Sequence, residues 1–450
     1  MQSLRSCRVA GLAIFAVLFS QFSSPLLYAG GGFFRNGAVG GVAIDASGVL
    51  SQPTVEATQS LVKAMQGRMT DVPAEAAQST EMRKISLRQI NAAIEASATK
   101  EVRDLPDEIK YLAGIQRIKY VFLYPERNDI VLAGPGEGWT LDQAGNVVGE
   151  TSGQPVCLLE DLIVALRSSE MARQGGISCS IDPRPEGVVA MRNYLEGKTY
   201  QPQVLDGIAQ SLGDQMITVT GVPQTSHLAR VLVAADYRMK RIAMGLEDSP
   251  IADLASFLSM MQNSRVRLTN MMPRWWLATD YAPLSKSEDG LAWELRGQGV
   301  KAMTEDSFMD ANGVAQQAGQ ANPIAQQWAD DMTKHFEALS KQEAIFGQLR
   351  NAMDMCVIAA LIQNEDMLAT VGCELPMIYQ STGAEIEVLN APKSVGTQCS
   401  VMKRGRDYII TASGGVSVDS WQAATTSQVS PRLSSVRSQV EYKPEGFWWN

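Results

Sequence analysis

Apolar positions recur at helical spacing in several long stretches of this chain and alternate with polar ones in short stretches between them. Leu228, Val231, Leu232, Ala235, Met239 and Ile242 predict one helix, with Ser226 as its N-cap and Gly245 as its stop. Residues 323–364 predict two more. Ile324, Trp328, Met332, Phe336 and Leu339 stripe the first, and Phe346, Leu349, Met353, Val357 and Leu361 stripe the second. Ser86 and Gln89 have capping-box spacing ahead of a helix through Ile94, and Ile85 with Ile90 has the spacing of a hydrophobic staple. Further helices are expected over 158–166, over 185–195, and from Ser249-Pro250 with Ile251, Leu254, Leu258 and Met261 on one face.

Alternation predicts strands over 118–124, 130–133, 177–181 and 216–220. Residues 275–281 and 291–296 read as a hairpin turning at Asp289-Gly290, and a smaller hairpin is expected at 142–145. Strands near 377–379, 399–402 and 408–411 complete the set. Helices mixed with both crossovers and hairpins imply an α/β or α+β fold, a mixed sheet with packed helices forming one large domain over 80–415. Residues 30–79 read as a loosely attached N-terminal arm, and 416–450 as a polar tail with an aromatic end.

The first residues change the picture most. Arg5 and Arg8 precede an apolar run over 10–19, and Leu27-Tyr28-Ala29 offers a small residue before a cut at Gly30. That is the pattern of a signal peptide over 1–29, and it predicts export to a periplasmic or extracellular location with no membrane span after cleavage. Cleavage removes two arginines and no acids, so the net charge moves from −9 to −11. Such acidity argues against a nucleic-acid partner; the expected partner, an envelope protein or glycan, follows from the N-terminal arm and the aromatic tail.

Five cysteines follow the signal, none in a CxxC pair, and only two histidines are present, so no metal or other cofactor is implied. Cys373 and Cys399 are the first candidates for a disulfide, with free buried thiols as the alternative. The loop Gly134-Pro135-Gly136-Glu137-Gly138 lacks GxGxxG spacing and a following helix, so a tight turn backed by Trp139 explains it better than a phosphate cradle. Its functional reading is a sugar or amine site, with Trp139 stacking and Glu137 accepting hydrogen bonds. Asp182, Arg184 and Glu186 stand at a strand-to-helix junction, where open sheets place ligands.

A Cys179–His227 dyad would need the two side chains to meet, and the helix start disfavours a charged His227. Two carboxylates among Glu137, Asp182, Glu186 and Asp236 would suffice for a hydrolase if they converged. Asp236 and Lys240, four apart, read as a solvated ion pair beside Arg238. Phe447, Trp448 and Trp449 are costly to leave in water, so they either fold back or dock on a partner.

Five blocks together resemble one family. They are 131–139 (Val-Leu-Ala-Gly-Pro-Gly-Glu-Gly-Trp), 179–183 (Cys-Ser-Ile-Asp-Pro), 235–240 (Ala-Asp-Tyr-Arg-Met-Lys), 349–354 (Leu-Arg-Asn-Ala-Met-Asp) and 392–395 (Pro-Lys-Ser-Val). The chain resembles the planctomycete secreted proteins grouped as domain of unknown function fifteen-ninety-eight, over roughly residues 80 to 420. The resemblance implies a bacterial, exported protein and brings no activity with it. The expected function is therefore a non-enzymatic, envelope-associated binding or scaffold protein. A periplasmic hydrolase using carboxylates and a small-ligand receptor are the alternatives.

Overall fold

The computed structural model describes residues 39–196, 203–266, 273–305, 307–309, 315–317, 322–404, 406–443 and 446–450. The expected signal peptide lies outside them. In chain order the strands are β1 (Ala43–Ile44), β2 (Val49–Ser51), β3 (Thr80–Ser86), β4 (Tyr120–Tyr124), β5 (Asp129–Gly136), β6 (Trp139–Leu141), β7 (Val147–Gly149), β8 (Ile177–Asp182) and β9 (Gln215–Thr220). There follow β10 (Arg274–Lys286), β11 (Ala292–Glu305), β12 (Ser307–Met309), β13 (Ala315–Gln317), β14 (Ser394–Val395), β15 (Cys399–Arg404), β16 (Arg406–Thr411), β17 (Ser413–Val418), β18 (Ser427–Val429) and β19 (Trp448–Trp449).

Thirteen of these form one sheet in the order β1-β2-β14-β9-β8-β17-β10-β11-β4-β5-β3-β19, with β18 alongside β10. The pairs β2–β14, β10–β17 and β10–β18 are parallel and the rest antiparallel, so the sheet is mixed, as expected from the combination of crossovers and hairpins. The first described strand, β1, and the C-terminal β19 both belong to it. Residues 39–77 are not a loose arm: Val39, Val42, Ile44 and Leu50 are buried in the main core, and β1 and β2 extend the sheet beyond β14.

The expected domain end at 415 also falls inside a strand, because β17 lies between β8 and β10 at the centre of the sheet. Gly414 and Gly415, at the expected end of the domain, are there for close approach. A Cβ on Gly414 would stand 1.6 Å from the Trp275 carbonyl, and one on Gly415 1.8 Å from that of Cys179.

Side-chain alternation divides the apolar residues between two cores. Val121, Leu123, Ile130 and Leu132 face the main helical layer. Phe122, Tyr124, Val131 and Ala133 face the other side, under Leu433 and Val440 at either end of helix Pro431–Gln439. On β10, Trp275 is fully buried against Phe257 and Trp328, while Trp276 is half-buried.

Helix Ala344–Asn364 was expected to be amphipathic. It is instead buried on all sides among helices Leu159–Gly175, His227–Ala243, Pro323–Gln342 and Ser420–Thr425. It is long and apolar enough to cross a membrane, a property shared by central core helices. The caps at Ser86 and Ser226 form as expected, accepting from Gln89 N at 3.0 Å and Ala229 N at 3.1 Å.

Candidate functional site

A cavity of about 220 Å³ opens where helices Leu159–Gly175 and His227–Ala243 begin. Leu61, Met65 and Met69 line it from the N-terminal segment, Val147 and Val156 from around the β6–β7 hairpin, and Leu389 from the loop before β14. Its polar lining is supplied by Arg68, Arg103, Lys110, Tyr111, Asn146, Glu160, His227, Arg230, Gln348 and Glu387. Glu160 and Asp161 form the acidic first turn of their helix, as its positive end favours. The second helix is held by its Ser226 cap, which presents His227 toward that turn.

The two starts meet in an ion pair. His227 Nδ1 donates to Asp161 Oδ2 at 2.9 Å, with side-chain exposures of 12% and 6%. Burial alone would strip His227 of its proton. The charges of Asp161 and Glu160 and the Asp161 hydrogen bond outweigh that, and its pKa rises to about 9. The imidazolium thus forms despite the helix dipole, because a carboxylate from another helix receives it. Glu160 is pushed up to about 7 by burial, opposed by His227 and reinforced by Asp161 and Glu387.

Most residues singled out from sequence lie elsewhere. Glu137 is buried, its Oε1 accepting from Gln116 Nε2 (2.6 Å), Ser152 N (2.9 Å) and Ser152 Oγ (2.6 Å). Burial opposes its charge, but those hydrogen bonds hold its pKa below the usual carboxylate range. Trp139 is buried edge-on to Tyr111, with no face left for a sugar. The glycine loop is a close strand crossing, since a Cβ on Gly134 would stand 1.9 Å from the Arg117 carbonyl.

Asp236 and Lys240 are not solvated. Both are buried at 2.8 Å, with Lys240 also donating to the carbonyls of Ile181 (3.0 Å) and Gly414 (3.2 Å). Burial pushes Asp236 up to about 6 against the pull of Lys240, and its Oδ1 accepts nothing among the described residues. Asp182 acts electrostatically on Asp236 but is only half-buried, while Arg184 and Glu186 are exposed. Glu137 on the β5 side and the exposed Glu186 do not join them, and of the expected carboxylates only Asp182 and Asp236 are near one another, Asp236 being buried and paired with Lys240. Arg238 is engaged by Glu247 and by Glu343 (3.0 Å).

Cys179 is buried on β8, where burial and the charge of Asp236 raise its pKa well above the ordinary value. It faces the far end of the helix that His227 begins, so the Cys179–His227 dyad is not formed. Cys373 is a free, buried thiol beside Asp129 and Arg88, near β5. Cys399 starts β15, packed near helices Gln203–Leu212 and Phe257–Asn263 at the other side of the sheet. The expected disulfide therefore does not join them.

The aromatic end folds back. β19 pairs with β3, Trp449 is buried against Tyr442, and Trp448 Nε1 donates to Glu108 at 2.9 Å. Ser86 N donates to the Phe447 carbonyl at 2.8 Å. Arg83, fully buried, ties the C-terminal residue to the segment before β3 through Asn450 Oδ1 (2.8 Å) and the carbonyls of Ala76 (3.0 Å), Ala113 (2.6 Å) and Gln78 (2.6 Å).

The fold and cavity thus define an α/β protein with one mixed sheet and a charged, apolar-walled pocket at two helix starts. Residues 179–257 match the family model described as Protein of unknown function (DUF1598). No curated protein and no solved structure matches the chain. The matched segment carries His227 and Arg230 of the cavity, together with the buried Asp236–Lys240 pair. Sequence reasoning missed Glu160, Asp161 and Tyr111. The adjacent acids opening an apolar helix were the available signal, and a helix dipole explains them without any site.

Proposed function

We propose that this is an exported binding protein whose ligand is a small molecule held in the cavity at the starts of helices Leu159–Gly175 and His227–Ala243. The observation that carries the reading is the cavity itself, in which apolar walls surround a few convergent ionisable groups. The family domain is taken to extend over about 80–420, as the separated sequence blocks suggest. In support, β8 of the matched segment is completed by β17, far outside it. Export rests on the pattern of residues 1–29, and a planctomycete-like origin on the resemblance.

The test is a thermal-shift screen of chemically diverse small molecules on the chain from Gly30, run beside Met65→Trp, which fills the cavity. Stabilising compounds should lose their effect in the variant. No stabiliser, or stabilisers unaffected by Met65→Trp, removes the reading. N-terminal sequencing of protein from the envelope fraction should begin at Gly30, and an intact Met1 would remove export.

A second reading, acid–base chemistry, is favoured by one observation: His227, oriented by Asp161, and Glu160 line the same cavity. It replaces the carboxylates Glu137, Asp182, Glu186 and Asp236 with His227 and Glu160 as the groups for hydrolysis. His227→Gln should then abolish any ester or glycoside hydrolysis found with purified protein, and an unchanged rate would end this reading.

A further inference from the structure

The side of the sheet turned from the main core changes character along its length. At the β4–β5 end it is apolar and lies under helix Pro431–Gln439. β11 runs from Ala292 in that covered part to Lys301 and Met303, whose neighbours Val300 and Ala302 point into the main core. Beyond them, over β10, β17, β8 and β9, the same side carries hydroxyls in place of apolar side chains. Thr218, Thr220 and Ser417 are exposed, and Ser178 and Ser180 are half-buried. A face made to be covered by a helix would present the valine and aromatic rings found under Pro431–Gln439, so this one suits water or a polar occupant.

The strand register sets these groups in rows. Trp276 stands opposite Met303 on one neighbour and Gly415 on the other, Gly415 opposite Ser180, and Ser180 opposite Thr218. The next row runs from Lys301 through Ala278, Ser417 and Ser178 to Thr220. Trp276 is half-buried beside a glycine that adds no side chain to its row, and its indole N–H has no partner among the described residues. The hydroxyls of Ser180, Thr218 and Ser417 have none among them either, while Ser178 and Thr220 hold each other at 2.9 Å. An indole with an unpaired N–H in a row of unpaired hydroxyls is what a sugar ring meets well, its C–H face on the indole and its hydroxyls exchanging hydrogen bonds.

Charge and size narrow the occupant. Asp182, opposite Met216, and Glu305, opposite Arg274, are balanced by Arg274 and Lys301, so this face is neutral on a chain of net charge −9. None of those four charges forms an ion pair among the described residues. Strands about 4.8 Å apart, five in all, with rows spread over four residues, cover roughly 270 Å², whereas a stable protein interface takes about 800 Å² from each partner. The area is too small for a second copy of the chain and suits a short, uncharged chain of sugar units.

We propose that this face is a second binding site, for a neutral oligosaccharide, with Trp276 stacking on a ring and Ser180, Thr218 and their neighbours meeting its hydroxyls. It lies on the side of the sheet opposite helix His227–Ala243, whose start opens the cavity, and does not depend on the cavity being occupied.

The test is calorimetric titration of cellohexaose, chitohexaose and maltohexaose into the chain from Gly30, with hexagalacturonate as the charged control. At least one neutral sugar should bind, with an affinity indifferent to salt, and hexagalacturonate should bind more weakly. Trp276→Ala should weaken the binding about tenfold or more. Thr218→Lys, at an exposed position, should weaken it too, and keeps the test open where Trp276→Ala loosens the sheet. Melting temperatures check that both variants fold. Met65→Trp, in the cavity, should leave the binding unchanged.

No binding of any neutral sugar, stronger binding of hexagalacturonate, or binding that survives both substitutions on the face overturns the proposal. Sugar binding lost in Met65→Trp but kept in Trp276→Ala and Thr218→Lys belongs to the cavity, so the face falls and the cavity reading stands. Self-association that Thr218→Lys abolishes makes a second copy the occupant and overturns the sugar.

Discussion

His227 and Asp161 lie 66 positions apart, and the pair they form gives the molecule a specific pH response. Folding raises the His227 pKa from an ordinary 6.5 to about 9. The stabilisation is therefore fully present below pH 6.5 and is lost as pH rises through 9. Urea denaturation should show a fall on the order of 1–3 kcal/mol across that window. The slope should flatten in His227→Gln, and equal slopes in both proteins would contradict the assignment.

Asp236 and Lys240 offer a second residue-scale test. Lys240→Met leaves a buried carboxylate without its cation and should cost about 3–5 kcal/mol, whereas Asp236→Leu combined with Lys240→Met should cost much less. Equal losses in a double-mutant cycle would mean that the pair does not act as a unit. Their four-residue spacing was legible in the sequence, but their burial was not. Burial depends on β8 and β17 covering that helix face, and those strands come from residues about 235 positions apart.

At the scale of elements, what was legible is what local chemistry decides. Ser86 and Ser226 cap their helices through backbone amides three residues on, and Asp289-Gly290 turns the β10–β11 hairpin with Gly290 at φ 69°. Expectations failed where a proline or a distant partner decided instead. Residues 377–379 were read as a strand, yet Pro376 opens helix Pro376–Tyr379, its fixed φ suiting a first helical position. The helix expected from Ser249-Pro250 begins only at Phe257, capped by Ser256, whose side chain accepts from Ser259 N.

The closing strand β19 shows the same dependence on distance, since its partner β3 lies more than 360 positions earlier. Trp449→Ala should cost about 3–5 kcal/mol in thermal or urea unfolding. Deleting 447–450 should also bare the β3 edge and promote self-association, visible by size-exclusion chromatography. A monomeric, fully stable deletion would show that β19 contributes little.

For the whole molecule, the sheet order predicts that no part of the centre folds by itself. A fragment over 179–257 keeps β9 and helix His227–Ala243 but lacks β17, so its circular dichroism should show no cooperative melting. Truncation at 415 cuts β17 in half and should abolish folding of the whole domain rather than spare it. A soluble, cooperatively melting protein from either construction would contradict the topology.

The placement of β17 between β8 and β10 also sets a schedule for synthesis. The ribosome finishes β8 at residue 182 and β10 at residue 286, but the strand that joins them is complete only at residue 418. Until then the emerging chain holds two half-sheets with open central edges and cannot reach its cooperative folded state. Closure is therefore late and long-range. A chain that stays unfinished for most of its translation remains available to chaperones and to any machinery that handles unfolded polypeptides.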